Sequence, residues 1–314
     1  MPYPSYLNLT EKDWEERVEK ALDMLKSCRV CPHRCGVNRL EGELGYCKTG
    51  RYAIVADYFP HRGEERPIRG KRGSGTVFFS YCNMRCVYCQ NYTISQLGEG
   101  EETRPEELSE IFLTLQRLGC HNINLVSPSH VVPQILEALY LAVKKGLRIP
   151  IVYNTSSYDS LESLKLLDGI VDIYLADFKY GDSSTGRKYS KVKSYYEVAL
   201  EAIREMHRQV GDLKVDEEGI AIRGLLIRHL VLPNGLAGTQ KVLESLKEIS
   251  PQTYINIMDQ YMPYYKAYDS PELSRRINYK EYQEALNFAK SFKLVLDLHD
   301  NAKGTHSCHS HTLW

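Results

Sequence analysis

The chain has no run of apolar residues long enough to cross a bilayer, and its start, Met1-Pro2-Tyr3-Pro4-Ser5, has neither the basic nor the apolar part of a secretion signal. It also has no net charge, since 40 lysines and arginines balance 40 aspartates and glutamates. With no prevailing field, neither nucleic acid nor a membrane is expected as a partner, and a cytoplasmic location is expected. No low-complexity tract and no short solenoid repeat appears, which excludes repeat arrays. There remains an ordinary globular composition, 43% hydrophobic and 25% charged, over 314 residues, a length that one barrel of strands and helices can occupy.

A further absence is local. Cys82-Asn83-Met84-Arg85-Cys86-Val87-Tyr88-Cys89 sets three thiols at x3 and x2 spacing after the apolar run Thr76-Val77-Phe78-Phe79, and no fourth cysteine follows within thirty residues. Three thiolates this close suit a soft metal or an iron-sulfur cluster. A closed zinc or ferredoxin-type site takes four, so the spacing points to a cluster with one iron open to a substrate or cofactor. A second group, Cys28-x2-Cys31-x3-Cys35-x11-Cys47, does have four thiols, with Pro32, Gly36, Gly42 and Gly45 for tight turns. Zinc and an iron-sulfur cluster both satisfy that set, and spacing does not separate them. The chain has nine cysteines; clustered thiols in so large a chain read as metal sites rather than a disulfide framework. Cys120 stands alone and reads as a small buried apolar residue.

The triplet, with aromatic Tyr88 before its third cysteine, resembles the signature of radical S-adenosylmethionine (SAM) enzymes. The wider string Gly73-Ser74-Gly75-Thr76-Val77-Phe78-Phe79, the triplet and Gln90-Asn91 resemble more narrowly the proteins named as pyruvate formate-lyase activating enzyme homologues. Their N-terminal module is similar to Cys31-Pro32-His33-Arg34-Cys35-Gly36-Val37-Asn38-Arg39. The resemblance implies that Cys82, Cys86 and Cys89 hold a 4Fe-4S cluster whose unique iron is chelated by SAM. Reductive cleavage would then give a 5′-deoxyadenosyl radical that abstracts hydrogen. It also implies reduced flavodoxin or ferredoxin as electron donor, and a glycyl radical enzyme as the activated partner. The alternative is another protein or a small molecule as substrate. A reading from another class, a non-catalytic iron-sulfur electron carrier or zinc scaffold, predicts no SAM binding.

From residue 73 onward, short apolar strands alternate with amphipathic helices, the pattern of an α/β fold with a parallel sheet. Together with the resemblance this gives a partial parallel (β/α)6 barrel of the radical SAM type, with a small N-terminal metal-binding module. The expected division is an N-terminal helix and four-cysteine module over 1–70, the barrel over 71–300 and a His/Cys-containing tail over 301–314. Expected strands are 51–55, 76–79, 122–126, 149–153, 171–176, one within 221–231, 254–258 and 294–298. Thr103 is expected to cap the helix that follows it, and the next helix but one is expected to be capped near Asp159.

Parallel strand-helix barrels collect functional groups at the carboxyl ends of their strands. Here each strand end is polar: the triplet, Ser127-Pro128-Ser129-His130, Asn154-Thr155-Ser156-Ser157, Asp177-Phe178-Lys179, Arg228-His229 and Asp259-Gln260-Tyr261. That coincidence marks one rim as an active site. By resemblance, Ser127, Ser129 and His130 occupy the place of the Gly-Gly-Glu stretch that receives the SAM amine, whose glutamate is absent here. Asn154 and Ser156 match ribose or methionine contacts. Asp177 and Lys179 are similar to an Asp-x-Lys of glycyl radical activases, and Arg228 could present a planar fork to a carboxylate. Plainer readings are that His130 and Asn154 cap helices, and that Asp177, Lys179 and Arg228 form rim ion pairs. His61, Glu64 and Glu65 belong to a polar segment that touches the cofactor site or is a solvated loop. Tyr261, Tyr264, Tyr265 and Tyr268 line a channel or pack the barrel.

Overall fold

The computed structural model describes residues 3–297. The tail with His306, Cys308, His309 and His311 lies outside them. The chain opens with α1 (Glu11–Asp23), whose N-terminus is closed by a capping box between Thr10 and Asp13. Its apolar face buries Trp14 and Ala21, and the Trp14 ring stacks on Tyr140 at 5.9 Å. Residues 24–52 then form turns around the four cysteines before β1 (Ala53–His61), the short helix α2 (Arg66–Arg69) and β2 (Ser74–Phe79).

The winding follows: β3 (Glu101–Thr103), α3 (Pro105–Arg117), β4 (Ile123–Val126), α4 (Val132–Lys144), β5 (Ile151–Thr155), α5 (Leu161–Leu166) and β6 (Ile173–Asp177). After α6 (Ser183–Ser190) and α7 (Tyr195–Val210) come β7 (Lys214–Val215), β8 (Ala221–Leu230), α8 (Thr239–Ile249), β9 (Tyr254–Met258), α9 (Tyr279–Phe292) and β10 (Val295–Leu296). The strand order is β10-β9-β8-β6-β5-β4-β2-β1-β3, with β7 paired to β8. From β2 to β10 every neighbour in that order is parallel; β1 adds antiparallel to β2, and β3 to β1.

The sheet is curled, and hydrogen bonds across its concave side show it. Asn124 of β4 donates to Glu64, Asn256 of β9 donates to Glu65, and those two glutamates are neighbours in the chain. Strands four places apart in the sheet, β4 and β9, therefore face one another across an interior that the segment around α2 enters. Below the glutamates, Ile68 packs on Val152, Ile173, Leu175 and Leu226. The result is the expected α/β partial barrel: polar in its upper interior, apolar in its lower, and open because the outermost strands do not meet.

Several expected boundaries move. The first strand runs to His61 instead of stopping at 55, because Phe59 and His61 pair with Thr76 and Ser74 of β2. Residues 53–70, on the N-terminal side of the expected division, thus belong to the sheet and its interior. The strand expected at 149–153 begins after Pro150 and takes in Asn154 and Thr155, whose polar side chains find partners inside. Thr103 is not a helix cap: it pairs with Ala53 in the sheet, and Glu107 accepts from the Arg104 N–H at 2.8 Å instead. The cap expected near Asp159 is Ser160, which accepts from the Ser163 N–H at the start of α5, while Asp159 turns inward to accept from the Tyr153 and Thr155 hydroxyls.

Candidate active site

The triplet loop leaves β2 through Tyr81, whose φ of 60° is left-handed, an uncommon conformation for an aromatic residue. Ser127 after β4 and Ser157 after β5 share it, at φ 58° and 62°. Such residues cost about 1–3 kcal/mol each and persist where the surroundings impose them. Here three lie at adjacent strand ends of one rim.

The loop is held on three sides by backbone. Arg85 and Val87 N–H groups donate to Ser190 and Tyr189 carbonyls at 2.9 and 2.8 Å, Lys266 N–H donates to Val87 O at 2.8 Å, and Asn83 Nδ2 donates to Tyr158 O at 2.6 Å. Each thiol also has a polar neighbour. The Met84 N–H donates to Cys82 Sγ at 3.4 Å; Ser190 Oγ lies 3.0 Å from Cys86 Sγ and Ser95 Oγ 3.1 Å from Cys89 Sγ. From Ser190 a hydroxyl chain runs through Tyr180 at 2.7 Å to Tyr88 at 2.5 Å. Burial pushes the Cys82 thiol up to about 12 and the Cys86 thiol up to about 11. A metal that takes the proton's place removes that cost.

A cavity of ≈ 270 Å³ opens beside the loop, walled by Cys86, Tyr88 and Cys89 on one side and Asp177, Lys179 and Arg228 on the other. Asp177 accepts from Lys179 Nζ at 2.6 Å and from Arg228 Nε at 2.8 Å. Arg228 also donates to Asn154 Oδ1 at 2.6 Å and lies 3.4 Å from Glu64 Oε2. Burial would raise the Asp177 carboxyl, but Lys179 and Arg228 outweigh it and hold the group below the usual carboxylate range. Burial likewise works against the Lys179 charge, and Asp177 and Cys86 outweigh it. The rim therefore carries one fixed anion and two fixed cations at the thiols. Glu64 differs: burial pushes it up to about 7, against Arg228, which favours its charge. A larger groove of ≈ 910 Å³ along α1 carries charged side chains, among them Arg29 paired with Glu162 and Asp23, but no thiol, and those three side chains are all at least a third exposed.

The expected site residues sort into two groups. Cys86, Cys89, Tyr88, Asp177, Lys179 and Arg228 wall the cavity together. The Arg228 fork is engaged by Asp177, Asn154 and Glu64, so it would reach a ligand carboxylate only by releasing one of them. Asn154 stands behind it. Ser129 is buried and shares a hydrogen bond with Thr155 at 3.0 Å. His130 caps no helix: it is buried, donates from Nε2 to Ser80 O at 3.0 Å and is pushed down to about 3 by burial and Arg39, so it stays neutral. Ser127 and Ser156 are partly exposed at the rim, outside the cavity lining. Glu64 and Glu65 are buried rather than solvated. Tyr261 lines the cavity, Tyr265 stacks on Tyr92 at 4.9 Å, and Tyr264 and Tyr268 are exposed. Sequence reasoning missed Ser95, Tyr180 and Ser190, which carry no motif and meet the thiols only through the fold.

Residues 76–216 match the family described as Radical SAM superfamily. The chain is also 35% identical over 288 residues to Uncharacterized protein MJ0674 of Methanocaldococcus jannaschii, a match covering 89% of this chain and 79% of that one. The chain carries a Radical SAM superfamily domain. Uncharacterized protein MJ0808 of the same organism is 28% identical over 192 residues, 55% of each chain. Among solved structures, methylornithine synthase (PylB) aligns with TM-score 0.46 and 15% identity over 93% of this chain and 72% of that one. A radical SAM methyltransferase from Sphaerobacter thermophilus aligns with TM-score 0.48 and 13% identity over 70% and 64%.

The 4Fe-4S cluster and SAM that a radical SAM domain implies fit the residues present. Three thiols of one anchored loop, with N–H and hydroxyl donors on their sulfurs and the Lys179 cation nearby, suit an anionic thiolate-bound cluster. The polar rim, with Gln90, Asn91 and Gln260 at the cavity, offers the donors and acceptors a zwitterionic cofactor requires.

The four-cysteine segment of this radical SAM protein packs on the same loop. His33 donates to Asn83 O at 2.7 Å and stacks on Tyr46 at 3.8 Å; Arg85 donates to Tyr46 O at 2.7 Å. Cys28, Cys31 and Cys47 are buried, Cys35 less so, and burial, with the other three cysteines adding to it, pushes the Cys31 thiol well above its ordinary range. Among the described residues no group of three or more His, Cys, Asp or Glu side chains stands at metal-binding geometry. No helix among the described residues is long and apolar enough to cross a membrane.

Proposed function

We propose that this chain cleaves SAM reductively and uses the resulting 5′-deoxyadenosyl radical to remove a hydrogen atom from its substrate. The observation that carries this is one cavity walled by Cys86 and Cys89 on one side and by Asp177, Lys179 and Arg228 on the other. When bound, the cluster supplies the single electron that splits the sulfonium carbon-sulfur bond into methionine and the radical, which leaves as 5′-deoxyadenosine after taking hydrogen. Lys179 offsets negative charge at Cys86, and Asp177 fixes both cations of the rim. Tyr88, Tyr261, Met258 and Met262 give the cavity an apolar wall that limits water around a reactive carbon radical. Reduced flavodoxin or ferredoxin is the electron donor in this reading. The four thiols Cys28, Cys31, Cys35 and Cys47 hold zinc or a second iron-sulfur cluster.

For the substrate, activation of a glycyl radical enzyme requires a mouth wide enough for a polypeptide loop. The packing of His33 and Tyr46 on the triplet loop supports the alternative in which the substrate is a small molecule. Anaerobic reconstitution with iron and sulfide, followed by reduction with SAM present, tests the reaction. The expected result is 5′-deoxyadenosine from the parent, and its loss together with roughly four irons in Cys86→Ala. A fully loaded, reduced protein that forms none is an electron carrier or scaffold.

A further inference from the structure

The segment between α1 and β1 buries a positive charge with no carboxylate beside it. Arg39 is 1% exposed. Its Nε donates to Gly50 O at 3.0 Å and its Nη1 to His130 O at 2.9 Å; Nη1 also stands 4.0 Å from Cys28 Sγ, while Nη2 is buried without a partner. The segment's other arginines have their anions: Arg51 pairs with Glu137 at 2.7 Å and Arg29 with Glu162 at 2.8 Å. Among the described residues no carboxylate pairs with Arg39.

A guanidinium keeps its proton inside a protein, so burial does not neutralise it. Two carbonyls satisfy its geometry but not its charge, and a buried charge left uncompensated is strongly destabilising. The sulfur that Arg39 faces belongs to the four-thiol set. Four neutral thiols leave the charge unbalanced, whereas four thiolates around zinc or a 4Fe-4S core carry a net charge of about −2. The local backbone also serves such a centre. Cys28 N–H donates to Val37 O and Gly36 N–H to Cys28 O, a tight hairpin around the first three cysteines, and the Tyr46 N–H donates to Cys35 Sγ at 3.4 Å. A Cβ on Gly45 would meet Cys35 Sγ at 2.9 Å, so the chain leaves that thiol room that only glycine allows.

We propose that Arg39 is the built-in counter-charge of an anionic tetrathiolate metal centre formed by Cys28, Cys31, Cys35 and Cys47. This rests on reading the four thiols as a metal site. Through the His130 carbonyl, the same guanidinium ties that centre to the rim loop after β4.

The test uses the full chain carrying Cys82→Ala, Cys86→Ala and Cys89→Ala, so that bound metal belongs to the four-thiol set. Zinc and iron per chain are counted, and release to a chelator is timed for that parent and for Arg39→Lys and Arg39→Gln. Both substitutions lose the fork, but only lysine keeps the charge. The glutamine variant is expected to release metal about 10–100-fold faster than the parent and the lysine variant to stay close to it. A second readout is the order of melting temperatures: Arg39→Gln should fall below the parent with metal bound and match or exceed it after chelation. Arg39→Met, which keeps the apolar stem, replaces glutamine if that variant does not fold. Equal release from the charged and uncharged variants overturns the counter-charge, and a parent that binds neither zinc nor iron overturns the metal centre itself.

Discussion

The two sets of thiols differ in what holds them in place. The triplet loop hangs from β2 and is pinned by backbone hydrogen bonds to residues 189, 190 and 266 and by the Asn83 side chain to the Tyr158 carbonyl, all on other strand-helix units. The four-cysteine segment has a three-residue turn of helix, Arg39–Glu41, and otherwise turns only. One site is shaped by the sheet around it; the other has no more than that turn of helix and shows a buried cation where an anionic centre would sit. Location on a rigid sheet suits reactivity, and a turn-built thiol nest suits a metal that completes the fold.

The sharpest way to break this contrast is to remove one thiol from each set. Cys86→Ala should abolish 5′-deoxyadenosine formation while leaving the melting temperature nearly unchanged. Cys31→Ala should do the reverse in stability, lowering the melting temperature by on the order of 10 °C. Unchanged melting with lost deoxyadenosine in Cys31→Ala would make the second centre an electron-transfer or substrate-binding cluster. Next in size is Asp177→Asn, which leaves Lys179 and Arg228 buried without their shared anion; denaturant titration should show a loss of about 3–5 kcal/mol with the four-thiol metal retained.

Gly98→Ala tests how the loop is held from its other side. A Cβ there would fall 2.3 Å from the Tyr81 ring, at a left-handed φ of 80°, so the loop must shift. A loss of about 1–3 kcal/mol is expected, with lower iron occupancy at the triplet and unchanged metal in the N-terminal segment. The smallest effect concerns Glu64, on the stretch joining the two regions. Its folded pKa of about 7 lies above the usual 4.5, raised first by burial, so its stabilising contribution is complete below about 4.5 and is lost as pH rises through 7. The melting temperature of Glu64→Gln relative to the parent should therefore climb between pH 5 and 8; a flat difference would mean that Arg228 keeps Glu64 ionised throughout.

Much of the site was legible in the sequence because its chemistry is local or periodic. The cysteine spacing needs no tertiary information, and Asp177, Lys179 and Arg228 were found because each follows an apolar strand. Boundaries failed where polar side chains sit inside strands: Asn154 and Thr155 read as loop, yet they face Arg228 and Asp159. His130 read as a cofactor contact or cap because it follows a strand, while its ring serves the Ser80 carbonyl. Glu64 and Glu65 read as a solvated loop because nothing nearby in sequence announces Asn124 and Asn256 as their partners.

The sequence by itself determined the thiol sets, the parallel winding and the polar rim, since these follow from spacing and from the alternation of strands and helices. Only the tertiary structure decided which groups meet. Ser190 reaches Cys86 across 104 residues, and Arg39 reaches the His130 carbonyl across 91. Such pairings depend on how far the sheet curls and on which charges are buried together, and both are set by the packing of the whole chain.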